Sequence, residues 1–157
     1  MDTDADVLAQ VDAAFGHVGK PSHFTNYQHC EECAEHDQTL REHDRDTLGL
    51  DQLGNPGWDP LCFCTPEGKA YYFPTLARLS LRPPRSQYDW YGEQLLFHLY
   101  SGGAENDFLK YCSSEQRAAV VALLGHWVAT RSQQLISESS ADELLRAHEL
   151  WSQRSAA

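Results

Sequence analysis

The pattern of apolar positions along the chain predicts helices. Near the N terminus, Val7, Val11 and Ala14 recur at spacings of three and four residues, which places them on one face of an α-helix. A second helix is expected from about residue 26 to about residue 45. That segment contains four Glu and two Gln, which are good helix formers, and it lacks both Gly and Pro.

Polar residues and prolines mark the later helices. Thr65 followed by Pro66 is typical of an N-cap and a first helical residue. Pro74 lies inside the same helix, where its missing amide predicts a kink or a break. The longest helix is expected to carry the apolar residues from Val120 to Leu135. Capping-box patterns predict two further helix starts, at Ser113 with Gln116 and at Ser140 with Glu143.

The fold class that follows is all-α. Alternation of apolar and polar residues with period two never lasts beyond a few positions, so no strand is predicted. We expect one compact domain over residues 1–157, with its core in about 5–152 and about six helices. Residues 48–64, rich in Gly and Pro, are expected to form one long ordered loop, because Trp58 is too apolar for a solvated tether.

Charge divides the chain into two unequal parts. The formal net charge is −11, and residues 1–59 carry −10 of it, with 13 acidic and 3 basic residues. Nucleic-acid binding requires lysines and arginines that replace condensed counterions, so that class is excluded. The acidic part favours a basic protein partner or a cation, although a solvated acidic face is the more common interpretation.

The cysteine content indicates free thiols or metal ligands. Five cysteines leave one unpaired in any intramolecular disulfide scheme. No apolar run approaches the roughly 20 residues of a membrane span, and the first residues are acidic where a secretory signal is basic. We therefore expect a cytoplasmic protein with reduced thiols and no membrane contact.

The most informative segment is HCEECAEHD, residues 29–37. At 100° per residue, one arc of about 120° on a helix contains five of its polar and thiol side chains: His29, Cys30, Cys33, His36 and Asp37. The same arc contains Leu40, so this face is expected to turn towards the core. Thiolate and imidazole are ligands that zinc prefers, and C-x2-C is a common first ligand pair.

Two sets of residues compete to complete such a site. Cys30 and His36 lie too far apart on an unbroken helix to share one tetrahedral ion, so either Cys30 precedes the helix or other ligands contribute. Cys62 and Cys64 would face the same side of an extended segment, so they are the natural candidates for the remaining metal ligands. The candidate metal set is Cys30, Cys33, His36, Asp37, Cys62 and Cys64, with zinc as the candidate ion and a structural role.

Two other interpretations of the same face remain. In the first, the thiols pack inward while His36 and Asp37 bond each other or the backbone. In the second, Cys30 and Cys33 form a redox pair, which is less favoured because Glu31 and Glu32 are expected to raise the thiol pKa.

Two dipeptides bear on hydrolase chemistry. His36-Asp37 and His43-Asp44 resemble the His-Asp dipeptide of an all-α class of metal-dependent phosphohydrolases. That resemblance implies further His and Asp ligands on other helices, and it is the weakest of the functional hypotheses.

Several short motifs in order resemble a group of small bacterial helical proteins. The motifs are Cys30-x-Glu32-Cys33-x-x-His36-Asp37, Trp58-Asp59-Pro60, Pro66-Glu67, Tyr72-x-Pro74-x-Leu76-x-Arg78 and Gln116-Arg117-x-Ala119-Val120. The resemblance covers about residues 15–135 and implies an all-helical fold and a bacterial source. It implies no activity, because the group has none assigned.

The function expected from the sequence is therefore binding rather than catalysis. The leading hypothesis is a helical protein with a structural metal or thiol–imidazole cluster. The alternative is an acidic interaction protein, of the immunity or antitoxin kind, that neutralises a basic partner through residues 1–59. The sequence leaves the oligomeric state open.

Overall fold

The computed structural model describes residues 2–84 and 89–153, and these residues form helices and loops without any strand. Nine α-helices and three short 3-10 turns account for the regular structure of the described residues. The helices are α1 (Asp4–Phe15), α2 (Glu31–Glu42), α3 (Leu50–Leu53), α4 (Pro66–Ser80), α5 (Tyr91–Tyr100), α6 (Asp107–Tyr111), α7 (Ser114–Thr130), α8 (Ser132–Ser137) and α9 (Ala141–Ser152). The 3-10 turns are Pro56–Trp58, Pro60–Phe63 and Gly103–Glu105.

Helix α4 lies at the centre of the core. Eleven of its fifteen residues are buried, and it packs against α1, α5 and α6. It also continues through Pro74, so a break at this residue is wrong, whereas a kink there stays a prediction. Packing on nearly every side of α4 holds the helix together where the proline removes one backbone hydrogen bond.

A second layer surrounds α4. Helix α7 packs against α1 and α9, and α9 packs against α5. One cluster of buried apolar side chains extends from Val7 in α1 to Trp151 in α9. The all-α prediction is confirmed, whereas the expected number of about six helices is too small for the described residues.

The additional helices have local causes. The predicted loop 48–64 is ordered, but it contains α3 and two 3-10 turns. The longest helix ends at Thr130, and Leu135 lies on the separate helix α8. The predicted capping box at Ser113 is present. At Ser140 it is wrong, because the Ser140 hydroxyl donates to the carbonyl of Glu138 and leaves the next helix uncapped.

Helix α2 is shorter than predicted. It begins at Glu31 rather than near residue 26, because Cys30 has extended backbone and occupies the N-cap position. At its C-terminal end, the Tyr72 hydroxyl of α4 donates to the carbonyl oxygens of Leu40 and His43. The N-terminal half packs on the turn Pro60–Phe63. The position of α2 therefore brings the N-terminal end of this helix next to the 3-10 turn Pro60–Phe63.

Candidate metal centre

Three soft donor atoms converge at the N terminus of α2, and we call His29, Cys30 and Cys33 the helix-end cluster. The sulfur of Cys30 accepts a hydrogen bond from the Cys33 backbone amide at 3.4 Å and lies 3.3 Å from the Cys33 sulfur. The Cys33 sulfur lies 3.7 Å from Nδ1 of His29, and the three donor atoms all lie within 4.8 Å of one another. Cys30 thus precedes the helix, which is one of the two solutions that the sequence left open.

The local environment makes the two thiols unequal. Hydrogen bonds from the Cys33 backbone amide and from His29 lower the pKa of the exposed Cys30 thiol to about 7. The neighbouring Cys30 sulfur, partial burial and the charge of Glu32 raise the pKa of the Cys33 thiol. The expectation that the two glutamates raise both thiol pKa values is therefore wrong for Cys30, because the helix N-terminal amide outweighs them.

The spacing of the helix-end cluster fits a tetrahedral ion. With zinc–sulfur bonds of about 2.3 Å and zinc–nitrogen bonds of about 2.05 Å, tetrahedral ligand atoms lie about 3.8 Å (S to S) and about 3.6 Å (S to N) apart. The observed distances, 3.3 Å between the two sulfurs and 3.7 Å between the Cys33 sulfur and Nδ1 of His29, are close to these ligand-to-ligand distances. The side chains therefore need only small adjustments to surround one ion.

Asp37 is buried, and its carboxylate is occupied by other parts of the protein. One oxygen accepts the backbone amides of Phe24 and Thr25 at 2.6 and 3.1 Å, and the other pairs with His23 at 2.8 Å. Burial would raise the pKa of Asp37, but these hydrogen bonds outweigh it and the pKa is lowered. Asp37 therefore fastens the preceding loop to α2, as the interpretation without a metal anticipated for this residue.

His36 is fully buried beside the helix-end cluster but is not part of it. Its ring lies between the exposed rings of Trp58 and Phe63, at centroid distances of 4.5 and 5.2 Å. Nε2 lies 3.4 Å from a carboxylate oxygen of Glu32, and Nδ1 has no partner. Its ring thus fills the space between α2 and the two 3-10 turns.

The structure assigns the second pair of thiols to two different places. Cys64 is buried next to Gly68, where an added Cβ would lie 2.5 Å from its sulfur, and burial strongly raises its pKa. This close contact explains the glycine in the first turn of α4. Cys62 is exposed, and its sulfur belongs to a group with Asp59 and His98. Among the described residues, the four sulfurs do not form one cluster.

Asp59, Cys62 and His98 form a second group, which we call the cleft cluster. Asp59 and His98 are buried, and Oδ2 of Asp59 lies 2.8 Å from Nε2 of His98. All three donor atoms lie within 4.8 Å of one another. Sequence reasoning missed Asp59 and His98, because they are 39 positions apart and neither lies in a recognisable ligand spacing.

The His-Asp dipeptides have local structural roles. His43 Nδ1 bonds the carbonyl of Thr39, and the Asp44 carboxylate accepts the backbone amides of Asp46 and Thr47. Within the part of the chain that the structure describes, neither dipeptide contributes to a group of three close metal-binding side chains. The geometry gives the phosphohydrolase hypothesis no support.

Comparison with protein-family models, with curated proteins and with solved structures finds no match to this chain. The resemblance to small bacterial helical proteins therefore stays a prediction. Across residues 2–84 and 89–153, no helix combines the length and the apolar character that crossing a bilayer requires.

Proposed function

We propose that the protein binds a divalent ion of the zinc class through the helix-end cluster, His29, Cys30 and Cys33. The observation that carries the proposal is the match between the distances among the donor atoms and the edges of a tetrahedral site. Glu31 and Glu32 add negative charge to the same turn, which favours a cation. The donor set consists of two thiolates and an imidazole. These ligands bind zinc in preference to magnesium or calcium, which favour oxygen ligands.

The ion would join the loop before α2 to the first turn of the helix. Three ligands from five consecutive residues leave one tetrahedral position, and both His29 and Cys30 are exposed there. Water or a donor atom from another molecule completes the coordination. The role proposed for the chain is therefore metal-dependent binding.

Metal titration tests this proposal directly. The purified protein should bind one equivalent of Co²⁺ at the helix-end cluster with a sulfur-to-metal charge-transfer band, and Zn²⁺ should displace it. Cys30→Ser and Cys33→Ser should each weaken binding by at least about a hundredfold, because each removes a thiolate ligand. Cys112→Ala is the matched control, since Cys112 is a free cysteine in the core that belongs to neither cluster.

A contrary result is equally clear. If protein from zinc-replete cells contains less than about a tenth of an equivalent of zinc, and if Cys30→Ser leaves the Co²⁺ spectrum unchanged, the helix-end cluster is not a metal site.

A second candidate function is thiol–disulfide exchange. An exposed thiol with a pKa lowered to about 7 lies 3.3 Å from a buried one, as in dithiol redox pairs. Oxidised glutathione would accept two electrons and two protons from the two thiols, so that its disulfide breaks into two molecules of reduced glutathione and one intramolecular disulfide forms. Equilibration in glutathione buffers followed by alkylation distinguishes the candidates: a redox protein gives a reversible Cys30–Cys33 disulfide, whereas a metal site gives thiols that zinc protects.

The neutralisation of a basic protein by residues 1–59 stays a prediction. A pull-down at low and high ionic strength tests it, because steering by charge requires that association weakens with salt.

A further inference from the structure

The cleft cluster has a geometry of its own. Asp59 lies before the turn Pro60–Phe63 and Cys62 lies within it, while His98 lies on α5, so two separate elements supply three different donor types. In a tetrahedral zinc site, a ligand oxygen and a ligand nitrogen lie about 3.3 Å apart. The hydrogen bond of 2.8 Å between Asp59 and His98 is slightly shorter, as expected when a proton occupies the position of the ion.

Surrounding residues hold these donors in place. The second oxygen of Asp59 accepts the backbone amide of Leu61 at 2.9 Å. The Gln94 amide donates both to Asp59 Oδ2 and to the carbonyl of Leu53. Such contacts orient the ligands of metal sites in proteins. The carboxylate of Asp59 is therefore fixed before any ion arrives, and it orients the imidazole of His98 through their hydrogen bond.

A cleft of about 370 Å³ adjoins the cluster, with Asp59 and Cys62 in its lining. The same lining includes Glu93, Glu138 and Glu143, and no lysine or arginine of the described residues belongs to it. A carboxylate oxygen of Glu143 is buried without a hydrogen-bond partner. Burial and the neighbouring Glu138 raise the pKa of Glu93 to about 7, which reflects the concentration of negative charge.

The Tyr91 hydroxyl is a second orphan polar group beside the cleft cluster. Tyr91 is buried, and its hydroxyl has no partner. Burial raises its pKa far above the usual value, and the negative charges of Asp59 and Cys62 raise it further. An unpartnered buried hydroxyl is unusual in a protein interior, and this one is close enough to Asp59 and Cys62 to be affected by their charge.

We propose that Asp59, Cys62 and His98 form a second site for a divalent transition-metal ion, with one coordination position open to the acidic cleft. Carboxylate, thiolate and imidazole together suit a borderline ion such as Zn²⁺ or Co²⁺. Three protein ligands and an open position are typical of a site that exchanges a fourth ligand. The glutamates of the cleft repel anions, so this ligand is water or a small neutral donor and not a phosphate.

The test removes the helix-end cluster first. In the Cys30→Ser/Cys33→Ser variant, Co²⁺ should bind with one equivalent and a charge-transfer band from a single thiolate. Adding Cys62→Ser should abolish the band, and adding His98→Gln should weaken binding at least about tenfold. Cys112→Ala in the same background is the control and should change neither. Imidazole should alter the visible Co²⁺ spectrum, because it enters the open position.

Two outcomes would overturn the second site. One is binding of less than about a tenth of an equivalent by the folded double variant at about 100 µM Co²⁺. The other is an unchanged charge-transfer band in the variant that also carries Cys62→Ser. Cys62 is exposed, so this substitution leaves the core intact, and circular dichroism verifies the fold of the His98→Gln variant. The proposed function is tested separately, by the stoichiometry of Co²⁺ binding to the wild-type protein and by the Cys30→Ser and Cys33→Ser single variants.

Discussion

The two donor clusters of this protein are similar in chemistry and opposite in construction. The helix-end cluster comes from one turn of chain, and two of its three residues are exposed. The cleft cluster joins residues 39 positions apart, and its carboxylate and imidazole are buried. Local backbone geometry is enough to build the first, whereas the second exists only because α5 packs beside the turn Pro60–Phe63. The contrast predicts different sensitivities to mutation, to metal and to pH.

The largest effect is expected from a residue that belongs to neither cluster. Asp37→Ala should lower the free energy of unfolding by about 2–4 kcal/mol, because it leaves the buried amides of Phe24 and Thr25 unpaired. Urea unfolding measures the loss, and Glu35→Ala, on the exposed side of the same helix, is the control. The lowered pKa of Asp37 means that its contribution persists above about pH 4 and is lost as the pH falls further.

A milder substitution at the same position separates the effect on the fold from the effect on the metal site. Asp37→Asn, which keeps one acceptor, should bind Co²⁺ with unchanged stoichiometry once folded. A loss of the thiolate charge-transfer band in this variant would instead make Asp37 part of the metal site.

Zinc should stabilise the folded protein through both clusters. At a free concentration of about 100 times the dissociation constant, each site adds about 2.7 kcal/mol to the free energy of unfolding. Cys30→Ser/Cys33→Ser should remove one such increment and Cys62→Ser the other, as measured by urea unfolding with and without Zn²⁺. An increment that survives all three substitutions would show that the ion binds elsewhere.

A smaller effect is expected from the acidic cleft, whose residue Glu93 should make the free energy of unfolding depend on pH. The pKa of Glu93 rises from 4.5 to about 7 on folding, so the folded state holds this proton more tightly. The contribution of Glu93 to the free energy of unfolding is therefore fully present below about pH 4.5 and is lost as the pH rises through about 7. Glu93→Gln should flatten this dependence and gain about 1 kcal/mol at pH 8, while Glu149→Gln, at an exposed position of α9, should not.

The smallest effect is expected far from both clusters. Asp4 accepts hydrogen bonds from Arg131 and pairs with His126, which ties the start of α1 to the end of α7. Because Asp4 is half exposed, Asp4→Asn should cost only about 0.5 kcal/mol in thermal or urea unfolding. Co²⁺ binding by either cluster should not change, and a change would mean that the clusters respond to global stability.

Sequence reasoning reached the helix-end cluster in part. The spacing of Cys30 and Cys33 identified a ligand pair, and the apolar position of Leu40 indicated that the face containing Cys33, His36 and Asp37 turns inward. The expected helix began near residue 26, however, and His29 was left out of the candidate metal set although it lies on the same face. Cys30 has extended backbone and caps the helix with its sulfur, so the helix begins only at Glu31, and the helical period contains no signal for this start.

Asp37 and His98 show the limit of inference from residue types. A buried carboxylate on a helix face is compatible with a metal ligand and with a backbone anchor, and the chain segment that packs against it decides between them. Phe24 and Thr25 supply amides to Asp37, while Cys62 brings a sulfur to His98. Both outcomes depend on residues distant in the chain.

The sequence by itself determined the all-α class, the helix that begins after Thr65, the capping box at Ser113 and the pairing of Cys30 with Cys33. Helical periodicity, caps and ligand spacing are local properties of the chain. Only the tertiary structure decided that Asp59, Cys62 and His98 meet beside an acidic cleft, and that Cys64 is buried away from Cys30 and Cys33. Side-chain donors converge through the packing of distant elements, and that packing follows from the whole core rather than from any one segment.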